Sequence, residues 1–283
     1  MMDVETLSEH RSFGGVQGFY SHDSEACSGP MRFGIHRPPG SVAGVLYYLA
    51  GLTCTEETFA IKAGAQRLAA ELGLIVVTPD TSPRDTGISG ATGDWEFGEG
   101  AGFYLDATEA PWSERFRTET WIVEELPGVL AAEFGIEGYP VGICGHSMGG
   151  HGALTLALRH PERYVSVSAL APIVAPSRVP WGEKAFPRYL GEKRERWAGH
   201  DACELVARQT FPGKLLVDQG TADPFLEVQL RPEWFKAACE AAGQSLTLRR
   251  HAGYDHGYYF VASMIADHLR HHAAAIREAR ERS

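Results

Sequence analysis

The stretch Gly145-His146-Ser147-Met148-Gly149 constrains this chain more than any other. It reads G-x-S-x-G, with a short apolar run at residues 141–144 before it and a helix-forming run rich in Ala and Leu after it. A serine on so tight a strand-to-helix turn needs glycine on either side, because side chains there would collide with neighbouring elements. In a chain with 32 glycines the pattern alone is weak, since short motifs often match by chance. The strand–turn–helix setting gives it force.

Short apolar runs alternate with longer amphipathic stretches along the chain, which predicts an α/β fold: a mostly parallel central sheet with helices on both faces. Strands are expected at residues 45–49, 74–77, 140–144, 165–170, 214–218 and 246–250, and helices at 58–72, 121–134, 149–159 and 258–280. Pro127 is expected to kink the second helix or shift its start. The N-terminal part reads as two antiparallel strands, 11–20 and 31–36, before the turn at Pro38-Pro39-Gly40. Residues 81–102 form a long loop rich in Gly, Ser, Thr and Asp, and loops of that length are usually functional. Residues 175–209 carry three prolines and two tryptophans. They read as an excursion over the sheet edge within a single domain spanning 1–283.

A length of 283 residues, 44% hydrophobic and 22% charged, suits one large domain that buries a full core. The net charge of −10 opposes binding to nucleic acid or an anionic membrane, both of which require a positive patch. No apolar run approaches the roughly 20 residues of a membrane span. The acidic start Met1-Met2-Asp3-Val4-Glu5 lacks the features of a signal peptide. Cys27, Cys54, Cys144, Cys203 and Cys239 are odd in number and widely spaced, a pattern of reduced thiols rather than a disulfide framework or zinc site. A cytoplasmic location is therefore expected.

Serine is a poor nucleophile at neutral pH and needs a base. On sheets of this kind the partners follow in the order serine, acid, histidine at strand ends. Asp223, in Gly220-Thr221-Ala222-Asp223-Pro224, and His256, in Gly253-Tyr254-Asp255-His256-Gly257, fit that order. The rivals fit less well. Asp218 falls at a strand end where it reads as structural, Asp255 is adjacent to the histidine, His251 ends a strand, and His268, His271 and His272 lie on the closing helix. Acyl transfer also needs donors for the developing oxyanion. The backbone N–H of Met148, just after the serine, is one. The N–H of Leu52, in the loop Ala50-Gly51-Leu52-Thr53-Cys54, is the expected second. The tract from Asp94 to Tyr104, with Trp95, reads either as a pocket wall or as a packed surface loop. Cys54 reads either as a near-site thiol or as a plain buried one.

Together these stretches resemble the S-formylglutathione hydrolase family, also called esterase D. The resemblance rests on Phe13-Gly14-Gly15, Gly51-Leu52-Thr53-Cys54-Thr55-Glu56, Pro79-Asp80-Thr81-Ser82-Pro83-Arg84, Gly100-Ala101-Gly102-Phe103-Tyr104-Leu105-Asp106-Ala107-Thr108, residues 145–152, Pro180-Trp181-Gly182, Asp218-Gln219-Gly220 and Gly253-Tyr254-Asp255-His256. It implies an α/β-hydrolase fold without a large lid, and hydrolysis of S-formylglutathione to glutathione and formate, the last step of glutathione-dependent formaldehyde detoxification. It implies Ser147, Asp223 and His256 as the triad and Leu52 and Met148 as oxyanion donors. It puts Cys54 near the site, with Trp95 and Trp181 as further near-site candidates. The partner it implies is a small glutathione thioester, without metal or organic cofactor, and many members are homodimers. The chain departs from the family pattern between Arg84 and Asp94, and Glu96 stands where the family has Asp. A general short-chain carboxylesterase or an acyltransferase is the competing reading on the same fold. A non-catalytic scaffold would ordinarily have lost a triad member, and all three candidates are present.

Overall fold

A computed structural model describes residues 4–282, so Met1, Met2 and Asp3 of the acidic N-terminal stretch lie outside the described residues. Nine strands form one sheet in the order β1-β2-β3-β5-β4-β6-β7-β8-β9. They are β1 (Val4–Ser12), β2 (Gly15–Ser24), β3 (Gly29–Arg37), β4 (Gly44–Leu49), β5 (Leu74–Pro79), β6 (Val141–His146), β7 (Ser166–Leu170), β8 (Leu215–Gly220) and β9 (Leu246–His251). The first three pair antiparallel, and β3 also meets β5 antiparallel. From β5 through β9 every pairing is parallel. Strands β4, β5, β7 and β8 are buried at every position, as expected where helices cover both faces of a parallel sheet.

The helices are α1 (Glu56–Lys62), α2 (Gln66–Leu72), α3 (Thr118–Thr120), α4 (Leu126–Phe134), α5 (Met148–Arg159), α6 (Pro180–Leu190), α7 (Arg194–Trp197), α8 (Ala202–Val206), α9 (Pro232–Ala242) and α10 (Tyr258–Arg282). The helix expected over 58–72 is two helices, because Gly64 between them adopts a left-handed φ of 66°. The helix expected over 121–134 starts earlier, at α3, and passes through a π-helical turn at Trp121–Glu125 before α4. There the Leu126 N–H donates to the Trp121 carbonyl. This wider turn sits just before Pro127, which has no N–H and crowds the preceding turn.

The N-terminal expectation needs correction. Three strands stand where two were expected, and the run 11–20 straddles the turn between β1 and β2 at Phe13 and Gly14. Strand β1 was missed because it is a mostly exposed edge with polar side chains at most positions, so it lacks an apolar signature. Residues 175–209, read from the sequence as an excursion over the sheet edge, lie in the crossover between the neighbouring strands β7 and β8, and α6 inside it packs against the segments around Pro176–Arg178 and Leu226–Leu230.

Chain order also locates the crevice where a sheet of this kind binds its ligands. From β4 the chain moves to β5 on one side, then returns past β4 to β6 on the other. The crevice at the carboxyl ends of β4 and β6 is thus the point where strand order reverses, where open α/β sheets bind their ligands.

The neighbouring strands β7 and β8 are fastened to α10 by buried polar groups. Ser166 and Ser168 hydrogen-bond the two ring nitrogens of His272, each at 2.7 Å. His268 bonds Ser168 at 2.8 Å and Asp218 at 3.2 Å. Asp218 accepts two bonds from Arg249, each at 2.6 Å. Burial alone would raise the Asp218 carboxyl, but the bonds and charges of His268 and Arg249 hold it below the usual carboxylate range. Replacing one partner of such a set leaves the others uncompensated. Asp218→Ala is expected to lower unfolding free energy by about 3 kcal/mol, read from urea unfolding. A loss under about 1 kcal/mol, the scale of a surface ion pair, would contradict that account.

Candidate active site

Ser147 stands between β6 and α5 with φ 58° and ψ −118°, a strained conformation for a side-chain-bearing residue. The crowding that forces it is visible at the flanking glycines. A Cβ at Gly149 would collide with the Leu49 carbonyl, and one at Gly145 with the Gly149 carbonyl. The turn is held by three backbone bonds: Ser147 N–H to the Leu170 carbonyl at 3.0 Å, and the Ser147 carbonyl receiving the N–H groups of His151 at 3.0 Å and Ile173 at 3.3 Å.

The loop after β4 lies against this turn. A Cβ at Gly51 would stand 3.2 Å from that of Ser147, so any larger residue there would press the loop against the serine. Among the described residues, the Leu52 and Met148 N–H groups donate to no protein acceptor. Two unspent amides beside a serine are what an oxyanion site requires. Thr53 adopts φ 67°, and its N–H donates to the Gly100 carbonyl at 2.9 Å. Cys54 is half-buried among Thr58, Lys62 and Tyr258, and burial pushes its thiol pKa up. The near-site expectation for Cys54 therefore meets a protonated thiol in the loop that carries Leu52.

Asp223 follows β8 and His256 follows β9. The His256 Nδ1–H donates to Asp223 Oδ2 at 2.6 Å. The Asp223 side chain, from which solvent is excluded, also accepts from Gln219 Nε2 at 3.2 Å and the Phe225 N–H at 2.8 Å. It thus orients the imidazole while its own oxygens are satisfied. The His256 ring lies 4.6 Å from the ring of His146, the neighbour of Ser147. Burial, reinforced by the nearby His256, holds the His146 pKa well below the usual histidine range, so a neutral ring abuts the candidate base. Among the described residues no hydrogen bond of ordinary length joins the Ser147 hydroxyl to His256; without substrate such bonds are commonly long. Asp255 accepts from the Gly257 N–H at 2.9 Å, a local turn contact.

Aromatic rings extend outward from His256. Phe225 stands 5.0 Å from it, Trp181 4.8 Å from Phe225, and Trp95 5.8 Å from Trp181. Trp181 is buried and donates from Nε1 to Glu96 at 2.8 Å, whereas Trp95 is half exposed at the outer end. Lys184 pairs with Asp94 at 2.8 Å and Glu96 at 2.6 Å, tying the aromatic tract to α6. Trp181 therefore reaches the site through Phe225, and Trp95 lies a further ring away. His146, Phe225, Tyr258 and Gln219 also line or support the site and were missed in the sequence. Of these only Gln219 had a signal, its place four residues before Asp223 at the end of an apolar run.

A second serine–histidine–aspartate set, Ser168, His268 and Asp218, has no access to substrate. Ser168, His268 and Asp218 are all fully buried, and the Ser168 hydroxyl is engaged by two histidines.

Known proteins resemble this chain along nearly its whole length. The “Putative esterase” family model matches residues 24–271. An S-formylglutathione hydrolase of Paracoccus denitrificans is 50% identical over 272 residues, covering 95% of this chain and 97% of the relative. The Rattus norvegicus S-formylglutathione hydrolase is 46% identical, covering 96% of this chain and 98% of its own. The chain belongs to the S-formylglutathione hydrolase family. A solved S-formylglutathione hydrolase from Agrobacterium tumefaciens superposes with a TM-score of 0.93 at 47% identity, covering 96% of this chain and 99% of that one. A ferulic acid esterase from Anaeromyces mucronatus, at 18% identity and a TM-score of 0.66, shares the α/β-hydrolase fold.

One acid of the family stretch Gly51–Glu56 is unusual. Glu56 is 3% exposed and its Oε2 has no hydrogen-bond partner. Burial first, and the neighbouring Asp80 second, push its carboxyl from 4.5 up to about 7. A carboxyl raised in the folded state binds its proton more tightly there, so it costs no stability below its unfolded pKa and progressively more as pH rises towards 7. Glu56→Gln is expected to be neutral at pH 4 and to stabilise by about 3 kcal/mol at pH 8. Thermal midpoints across that range check this, and a gain equal at both ends would refute it.

Proposed function

We propose that the chain hydrolyses S-formylglutathione to glutathione and formate through an acyl-enzyme on Ser147. The reading rests above all on near 50% identity to S-formylglutathione hydrolases along nearly the whole chain, and the Asp223–His256 bond at 2.6 Å beside a strained serine supports its mechanism. His256 Nε2 takes the proton of Ser147 as its Oγ attacks the formyl carbon. The carbonyl electrons move to oxygen, which accepts hydrogen bonds from the Leu52 and Met148 N–H groups. As the oxyanion collapses the C–S bond breaks, and the sulfur leaves as glutathione with the proton held by His256. A water then gives a proton to His256 and attacks the formyl ester; as the C–O bond to Ser147 breaks, His256 returns that proton to Ser147 Oγ, and the formic acid released ionises to formate. Asp223 keeps the imidazole in the tautomer this sequence needs.

Residues 1–283 act in this reading as one catalytic unit. A homodimer in the cytoplasm fits the family and the five free cysteines. No helix among the described residues is long and apolar enough to cross a membrane.

An organophosphonate is expected to label Ser147 in the active enzyme, and Ser147→Ala to lose labelling and about 10⁴-fold or more in kcat. Active protein that stays unlabelled at Ser147 would end the assignment. Turnover of S-formylglutathione is expected to exceed that of an aryl acetate in kcat/KM. The reverse order would favour a general carboxylesterase.

A further inference from the structure

The Leu52 amide is useful only if its N–H points at the developing charge, and the loop carrying it is strained. Thr53 holds a left-handed φ of 67° without being glycine, and such strain persists only where surroundings over-determine it. The carbonyl of Cys54, two residues after Leu52, is where the restraint acts. It accepts from Arg84 Nη2 at 2.8 Å and from Thr81 Oγ at 2.8 Å. Arg84 is itself fixed by Asp80, donating from Nε at 3.0 Å and Nη2 at 2.7 Å, and it also reaches Thr81 Oγ at 3.0 Å. Asp80 is buried, and its Oδ1 also accepts the Thr81 N–H at 2.7 Å. On the far side of the loop the Gly100 carbonyl holds the Thr53 N–H. A Cβ at Gly100 would stand 3.3 Å from Arg84, so the guanidinium lies where the two loops meet.

We infer that Arg84 is a positioning residue for the oxyanion: through the Cys54 carbonyl it holds the strained Thr53 turn, and so aims the Leu52 N–H. It touches no substrate. The inference rests on the hydrolase reading above, but not on which acyl substrate is used. A fork bonded to both Asp80 and a carbonyl is a role lysine fills poorly.

The test uses the full chain with S-formylglutathione and an aryl acetate in parallel. Arg84→Ala is expected to lower kcat on both by about 10- to 100-fold, less than the about 10²–10³ for deleting an oxyanion donor outright, with KM within about threefold. Binding of a trifluoromethyl ketone thioether, which forms an anionic tetrahedral adduct on serine, should weaken by the same factor as kcat/KM, while binding of S-methylglutathione stays constant. Guanidinium at millimolar concentration should restore part of the lost rate in Arg84→Ala and none in wild type. Thr81→Val removes one of the two bonds to Cys54 and is expected to cost about threefold to tenfold in kcat; it serves if Arg84→Ala does not fold. An unchanged kcat and unchanged ketone affinity in folded Arg84→Ala would overturn the inference. So would an equal loss of ketone and S-methylglutathione binding, the mark of general pocket collapse. If wild type cleaves the acetate but not the thioester, the substrate reading fails and the Arg84 comparison still stands on the acetate.

Discussion

The backbone of α5 comes so close beneath the end of β4 that nothing larger than glycine fits at position 149. Much of the site follows from this approach. It leaves the chain between β6 and α5 no relaxed path, so Ser147 is pushed into a left-handed conformation that the bonds to Leu170, His151 and Ile173 then lock. The same closeness lets the loop after β4 pass against the serine at Gly51. Strain here does not weaken the fold locally, because three inner strands and a helix all specify the same arrangement. A hydroxyl is thereby presented at the reversal point of the sheet with two amides close by.

The described residues contain two Ser–His–Asp constellations, and their contrast supports the proposal that Ser147, His256 and Asp223 are the reactive one. Ser168, His268 and Asp218 are better hydrogen-bonded than Ser147, His256 and Asp223, but every member is sealed between the sheet and α10. Asp218 is paired with Arg249, and the buried Ser168 hydroxyl is held by His268 and His272. Asp223 instead spends its charge on His256, whose ring remains part-exposed beside Phe225 and His146. Proximity of the three residue types is therefore a poor criterion. Strain, free amides and access separate a reactive serine from a structural one.

Much of this was legible in the sequence. Fully buried strands such as β5 and β8 announce themselves as unbroken apolar runs, and the elbow glycines carry their own steric reason. The order of Ser147, Asp223 and His256 along the chain also pointed to strand ends that the fold brings to one edge. What escaped was whatever depends on partners distant in sequence. Edge strand β1 alternates too weakly to be seen, since only its pairing with β2 defines it. The break at Gly64 and the π-helical turn before Pro127 are local compromises with packing that propensity does not encode. The prolines and tryptophans of the crossover at 175–209 marked an irregular excursion but not what it packs against. Its Trp181 is buried near His256 because Phe225, 44 positions later in the sequence, lies between them.

The fastening of β7 to α10 also bears on the order of events during synthesis. Ser168 meets its histidine partners 100 and 104 positions further along the chain. At about 5–20 residues per second, the ribosome adds that stretch in roughly 5–20 s. Until then the hydroxyls of Ser166 and Ser168 lack the histidine nitrogens that they bond in the finished fold, and buried polar groups are ordinarily hydrogen-bonded. Helix α10 is thus a late latch on the central strands, the last long element of the chain to be made and the one that carries both histidines.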